Sequence, residues 1–413
     1  MSAIERLTDR IGRATIGIGR DTEDLEAVAR TLLGSIAEPG DGVMGHAVAA
    51  LGPLAVADLL LGGADATALA TALVDADAPL DPRSSRAALE RWRPRIDADA
   101  VERAVRDAAR VGARLLIPAD PAWPVELDDL GVHAPLALWV RGDAGLPARS
   151  EPSIALVGAR AATGYGEHVA VESAAGLSDR GFTVVSGGAY GIDGMAHRST
   201  LRSGGRTVAF LAGGVDRLYP LGHESLLTRI IENGAVVSEL PCGAAPTKWR
   251  FLQRNRLIAA SSAATIVLEA GLRSGSLNTA GHAAALARPL GAVPGPVTSP
   301  ASAGCHRLLR EFDAVCVVDA EQMAELATGG APVSGGRPGE RGGPAPGGAR
   351  GARRHPDEVR VIDALSARAP RTTDEVARRA GIEPRRALGL LGALEAEGRA
   401  ARNPNGWVAV RSG

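Results

Sequence analysis

FTVVSGGAYGID, residues 182–193, holds the order that decides the fold. Phe182, Thr183, Val184 and Val185 are aromatic or β-branched and read as a buried strand. Ser186, Gly187, Gly188 and Gly191 then form a glycine-rich turn, and GIDGMAHRSTLRS continues with helical spacing. Strand, glycine turn and helix make one half of a parallel crossover unit.

The unit recurs outward in both directions. SIALVG precedes GEHVAVESAAGLSDR, RTVAFLAG precedes ESLLTRIIEN, GAVVSEL precedes RNRLIAASS, and ATIVLEA precedes SLNTAGHAAALA. RPLGAVPG and AVCVVDA supply further strands. Strands that are hydrophobic throughout, each followed by a helix, predict a parallel sheet covered on both faces. Right-handed crossovers make it doubly wound. The expected fold class is therefore α/β: an extended Rossmann-like, mostly parallel sheet.

The flanks differ in composition. Residues 1–110 carry apolar residues at three- and four-residue spacing, as in LEAVARTLLGSIA, and predict a small helical module. Residues 111–328 form the core, with 111–150 (two strands and a Pro-punctuated loop) leading in. Residues 329–354 are almost all Gly, Pro, Ala and Arg and read as a linker. Residues 355–413 predict three helices, Thr372 or Thr373 capping the second, and a hairpin at Asn405-Gly406. That is the outline of a winged helix-turn-helix.

Charge is uneven. The 413 residues carry a net charge of −1, yet from Gly329 onward 15 arginines face 9 acidic residues, a surplus of six, leaving −7 in the remainder. Lys248 is the only lysine, and it lies in TKWRFLQRNR (247–256), the densest short cluster of positive charge. Cys242, Cys305 and Cys316 have neither CxxC spacing nor a His partner at metal-ligand spacing, so no metal site is expected. The charged start MSAIERLTDR and the short apolar runs predict a soluble, cytoplasmic protein with no membrane partner.

In such a sheet ligands sit beyond the carboxyl ends of the strands. Gly158 and Arg160 follow one strand; Ser186, Gly187, Gly188 and Gly191 follow the next; Gly213 and Gly214 follow a third. Ser274, Gly275 and Ser276 open another helix. Backbone N–H groups without a Cβ approach an oxyanion closely, and helix N-termini add partial positive charge. A phosphate-bearing ligand is the expectation. None of these turns has the GxGxxG order, and GxxxxGK[ST] is absent, so no nicotinamide or P-loop nucleotide cofactor is implied. In TKWRFLQRNR, Lys and Arg supply charge, Asn255 a hydrogen-bonding amide, and Phe251 or Trp249 a stacking ring. Cations interleaved with aromatics suit a single-stranded nucleic acid.

These motifs, in order, resemble those of the DNA-processing protein A family (DprA, also called Smf): SIALVGARAATGYG, VVSGGAYGIDGMAH, GGVDRLYP, SELPCG, FLQRNRLIAA, EAGLRSGSLNTA and AVPGPVTSPASAGCHRLL. The resemblance covers about residues 115–320. It implies a Rossmann-like core that binds single-stranded DNA, a homodimer formed through that core, and loading of the RecA recombinase during natural transformation. Carried over by position, the binding residues would be Gly158, Arg160, Ser186, Gly187, Gly188, Gly191, Lys248, Phe251, Arg254, Asn255, Arg256, Ser274, Gly275 and Ser276. The chain departs from the family's pattern at Ala159, Leu252-Gln253 and His223.

Two other classes stay open. A nucleotide-processing hydrolase on the same superfold would use a loop carboxylate, with Glu269 as acid or base if it faced a nucleotide, although Glu269 is better suited to ordering its loop or pairing with Arg273 or an arginine of Arg254-Asn255-Arg256. A duplex-binding regulator would work through Arg385 and Arg386 in the third helix of the last domain. No Ser/His/Asp set, metal cluster or close carboxylate pair is legible, so no catalytic residue is assigned.

Overall fold

The computed structural model describes residues 1–148, 152–329, 356–367, 369–396 and 398–410. These fall into two compact units, residues 1–328 and 329–413. The expected linker 329–354 lies outside the described residues after Gly329.

The first unit opens with helices α1 (Ala3–Ile16), α2 (Leu25–Ile36), α3 (Gly42–Leu51), α4 (Pro53–Leu61), α5 (Ala66–Asp75), α6 (Pro82–Trp92) and α7 (Ala98–Arg110). Asp24, Asp41, Asp65 and Asp97 cap four of them through side-chain oxygens that accept backbone N–H groups. Strands β1 (Arg114–Leu116) and β2 (Leu138–Gly142) follow, then β3 (Ser153–Gly158), α8 (Gly164–Asp179), β4 (Thr183–Ser186), α9 (Ile192–Arg202), β5 (Thr207–Phe210), α10 (Glu224–Asn233) and β6 (Ala235–Ser238). Next come α11 (Lys248–Ala260), β7 (Ala264–Glu269), α12 (Ser276–Ala285), β8 (Leu290–Ala292), α13 (Ala303–Glu311), β9 (Val315–Cys316) and α14 (Ala320–Thr328).

The strands form one sheet in the order β1-β2-β6-β5-β4-β3-β7-β8-β9. From β6 to β9 every pairing is parallel; β1 and β2 add an antiparallel edge. Successive residues alternate across the sheet. Ala155, Val157, Val185 and Phe210 pack under Leu257, Ile258, Ala280 and Leu308 of α11 to α13. Ile154, Leu156, Val184 and Ile266 pack under Ala170, Leu177, Ala196 and Met323 of α8, α9 and α14. The N-terminal helices share a third cluster with Leu227, Ile230 and Val236, so helical module and sheet have a common core.

One helix starts earlier than the sequence indicates. RNRLIAASS reads as helical, but α11 begins at Lys248, because Thr247 accepts the Arg250 N–H and caps it. Among the described residues, no single helix is long and apolar enough to cross a membrane.

The second unit holds α15 (Pro356–Ala364), α16 (Thr373–Ala380), α17 (Pro384–Ala396) and a hairpin of β10 (Ala400–Asn403) and β11 (Gly406–Ala409). Thr372 caps α16 and Gly381 ends it in the left-handed conformation. Val361, Val376, Leu391 and Trp407 are in its core, completing a winged helix.

Candidate nucleic-acid interface

Chain connections run from β3 one way through β4, β5 and β6, and from β7 the other way through β8 and β9. The topological switch therefore lies between β3 and β7, where the loops carrying Arg160 and Ser274 leave the sheet. These loops are tied together. Ala159 N–H donates to the Glu269 carbonyl at 2.7 Å, and Ile192 N–H donates to the Ala159 carbonyl at 3.1 Å. Gly191, at φ +73°, has no room for a Cβ, which would strike the carbonyl oxygens of Ala159 and Arg160. What position 159 supplies is thus backbone, and Ala serves.

Glu269 is 2% exposed. Its carboxylate accepts from Thr163 N–H at 2.8 Å and Thr163 Oγ1 at 2.5 Å, so it orders the loop that starts α8. It pairs with neither Arg273 nor an arginine of the Arg254-Asn255-Arg256 run. A carboxylate so enclosed is not presented to a nucleotide.

The turn after β4 corrects a sequence expectation. Ser186 Oγ donates to the Leu156 carbonyl at 2.7 Å and is wholly buried. Gly187 and Ala189 N–H donate to Asp193 Oδ2 at 3.1 and 3.4 Å. The Gly187 amide expected to cradle phosphate, and that of Ala189 beside it, already hold the chain's own carboxylate. Burial pushes the Asp193 carboxyl up from its ordinary range, while Arg254, the two amides and Arg160 pull against that. Arg254 closes the turn from the other side: Nη1 donates to the carbonyls of Gly187 and Phe210, and Nε to Asn255 Oδ1. It is 4% exposed, and burial brings its guanidinium down to about 10, with Asp193 raising and Arg160 lowering it. Gly188, at φ +66°, offers its carbonyl to His223 Nδ1 at 3.0 Å. His223, edge-on to Tyr190 at 4.8 Å, thereby fixes the turn.

Around α11 the predicted residues separate. Lys248 is exposed and Phe251 follows one turn later on the same face. The exposed Arg160 places its guanidinium 4.8 Å from the Phe251 ring centroid, and the Tyr219 ring lies 5.8 Å away. Asn255 is internal: its amide donates to the Gly275 carbonyl and Asn278 Oδ1, joining α11 to the loop after β7. There Ser274 Oγ bonds Ser276 Oγ at 2.7 Å, Gly275 is exposed and Ser276 buried. Arg256 points away, 2% exposed, with both terminal nitrogens on Glu239 at 2.6 Å and Nε on the His133 carbonyl. Of the fourteen predicted residues, Arg160, Lys248, Phe251, Ser274 and Gly275 present surface on the rim, and Gly158 and Gly191 shape it. Ser186, Gly187, Gly188, Arg254, Asn255 and Ser276 sit beneath, and Arg256 faces elsewhere.

Sequence reading missed two residues. Tyr219, 47% exposed, lies in GGVDRLYP, where its signal is that it is an aromatic in a chain only 3% aromatic. Arg273, which in sequence suits a partner for Glu269, is exposed in the loop after β7.

The fold and this rim define a Rossmann-like α/β protein whose switch-point loops carry exposed cations and rings, followed by a winged helix. The profile of the DNA recombination-mediator protein A family matches residues 114–328, and that of the DprA winged helix domain matches 344–406. The putative DNA processing protein DprA of Mycobacterium tuberculosis is 47% identical over 316 residues, 74% of this chain and 79% of its own. Protein Smf of Escherichia coli is 39% identical over 212 residues, 51% and 56% of the two chains. The crystal structure of DprA from Streptococcus pneumoniae superposes with a TM-score of 0.56 at 27% identity, covering 72% of this chain and 95% of that one. The chain belongs to the DNA recombination-mediator protein A family, DprA or Smf, and with it to DNA processing and recombination.

Proposed function

We propose that the rim between β5 and β7 binds single-stranded DNA, with Arg160, Lys248 and Arg273 meeting phosphates and Tyr219 and Phe251 meeting bases. The observation that carries this reading is the group of exposed Arg160, Tyr219 and Lys248 with half-buried Phe251, drawn from two loops and the start of α11 onto one edge of the sheet. Stacking contributes about 1–3 kcal/mol per base and is sequence-tolerant, while the cations supply a salt-sensitive part. The role is binding and not turnover, since the loop carboxylates Asp193 and Glu269 are consumed in holding the loops. As a recombination mediator the protein would deliver the bound strand to a RecA recombinase and work as a homodimer in the cytoplasm; these assignments follow from the family.

The test is a titration of labelled oligo-dT at several salt concentrations, against a duplex of equal length. Wild type should prefer the single strand. Arg160→Ala with Lys248→Ala should weaken binding of any base sequence and flatten the log–log salt slope by about 1.4, from roughly 0.7 per single-strand phosphate contact. Equal duplex affinity, or a double variant with unchanged affinity and slope, would overturn the assignment.

A further inference from the structure

We infer that the N-terminal helices set the single-strand affinity of the rim by holding α11 from behind, and that Glu38 is the positioning residue of this clamp. The inference rests on the rim's proposed role. At about 100° per residue, Lys248, Phe251 and Asn255 lie on one side of α11, whereas Arg250, Gln253 and Arg256 lie on roughly the opposite side. The first stripe faces the rim and the loop after β7. The second meets the segment between α2 and α3.

That second face is built in detail. Arg250 is buried, and its fork donates to both oxygens of Glu38, Nε at 3.0 Å and Nη2 at 2.9 Å. Its remaining nitrogen, Nη1, donates to the Ala245 carbonyl just before the helix. Arg95, from the turn after α6, reaches Glu38 at 2.8 Å, so one carboxylate joins α11 to two parts of the helical module. A Cβ on Gly40, which has φ +71°, would lie 2.8 Å from Gln253 Oε1 and 3.2 Å from Arg256 Nε. His133 completes the seam: Nδ1 bonds the Gly40 carbonyl at 2.9 Å, and its own carbonyl accepts from Arg256. None of these groups belongs to the proposed contact set, yet together they fix the roll and height of the helix that presents Lys248 and Phe251.

A helix held less firmly populates the binding-competent placement for a smaller fraction of time, and apparent affinity falls by that fraction. The sign is diagnostic. Glu38→Gln removes a negative charge, so plain electrostatics predicts tighter binding of a polyanion. The clamp predicts the reverse.

The experiment uses the full chain, with oligo-dT affinity at several salt concentrations and amide hydrogen exchange of residues 248–256 as readouts. Glu38→Gln should accelerate exchange in that segment and raise Kd about tenfold with the salt slope unchanged. Arg250→Lys keeps the charge and loses the fork, and should do the same at about threefold, which covers the case in which Glu38→Gln does not fold. Faster exchange with unchanged or tighter binding overturns the clamp, and so does a changed salt slope. If wild type does not bind oligo-dT, the rim itself is wrong. If wild type binds and loses slope on Arg160→Ala and Lys248→Ala while the seam variants bind normally, only the clamp fails.

Discussion

Lys248 opens α11 and Arg256 lies two turns further along, within one run of positive charge, yet their surroundings are opposite. The lysine is exposed at the rim beside Phe251, and the arginine is 2% exposed with its fork closed on Glu239. Arg250 and Arg254 side with Arg256: one is locked to Glu38, the other to the carbonyls of Gly187 and Phe210. A planar guanidinium with five donors can satisfy two carbonyls or both oxygens of a carboxylate in one fixed geometry; an ammonium is a strongly hydrated point charge. The comparison teaches that TKWRFLQRNR is two sets of cations. One is structural and internal, the other offered to solvent. The only lysine in the chain belongs to the second.

The strongest way to break this division is to remove an internal cation. Arg254→Ala would strip the Gly187 and Phe210 carbonyls of a donor and leave Asp193 buried without the positive charge that most favours its ionised form. Losing one partner of a buried charged pair typically costs about 3–5 kcal/mol, so thermal or urea denaturation should show a large drop. Lys248→Ala, an exposed substitution, should stay within about 0.5 kcal/mol of wild type. If Arg254→Ala keeps the melting temperature and loses only oligo-dT affinity, Arg254 belongs with the contact set and the division falls.

Solution conditions sharpen the same contrast, because the interior answers to pH through a buried histidine beside Arg254 and the exposed set answers to salt. His197 is wholly buried beside the Arg254 network. Thr207 Oγ1 gives its proton to the Val184 carbonyl at 2.7 Å, so His197 Nδ1 is the donor in the 2.7 Å contact between them. Nε2 is then a bare acceptor with no partner among the described residues. Burial, with His223, Arg254 and Arg198 adding to it, lowers the His197 pKa from 6.5 to about 3. Between those values the unfolded chain binds a proton that the folded chain refuses. Stability therefore falls as pH drops through that window, by at most about 1.4 kcal/mol per pH unit for this one group. Urea denaturation at pH 7 and pH 5 should reveal the decline, and His197→Gln should reduce it. An equal decline in the variant would assign the effect to other groups.

What the sequence made legible follows the same line. The strands were legible because Ile154–Val157, Val184, Val185 and Thr265–Leu268 are buried on both faces and so read as unbroken apolar runs. Arg160 and Lys248 were legible as surface cations because no acidic residue nearby in sequence could neutralise them. Arg254 and Arg256 were not separable from them, since the partners that claim them, Gly187, Phe210, Glu239 and His133, come from distant segments. Asp193 hid for a related reason. A glycine turn followed by an acidic residue reads as a phosphate loop plus a helix cap, and only the fold shows that the carboxylate occupies the loop. The seam between Glu38 and Arg250 joins residues from opposite ends of the unit, and no periodicity carries such a pairing.

The smallest predicted effect tests the exposed set from within. Arg160→Lys keeps the charge on the rim and removes the planar group that lies 4.8 Å from the Phe251 centroid. Cation–π contacts at exposed sites contribute about 0.5–1 kcal/mol, so oligo-dT affinity should fall by roughly two- to fivefold. The salt slope should hold, because the number of phosphate-neutralising charges is the same. Phe251→Leu should produce a similar loss, and the two changes together should cost less than their sum, since each removes the same stacked pair. Affinity that rises on Arg160→Lys would mean that the arginine covers a ring a base could otherwise use. Phe251 would then be the contact, and Arg160 would join the arginines that serve the protein's own structure.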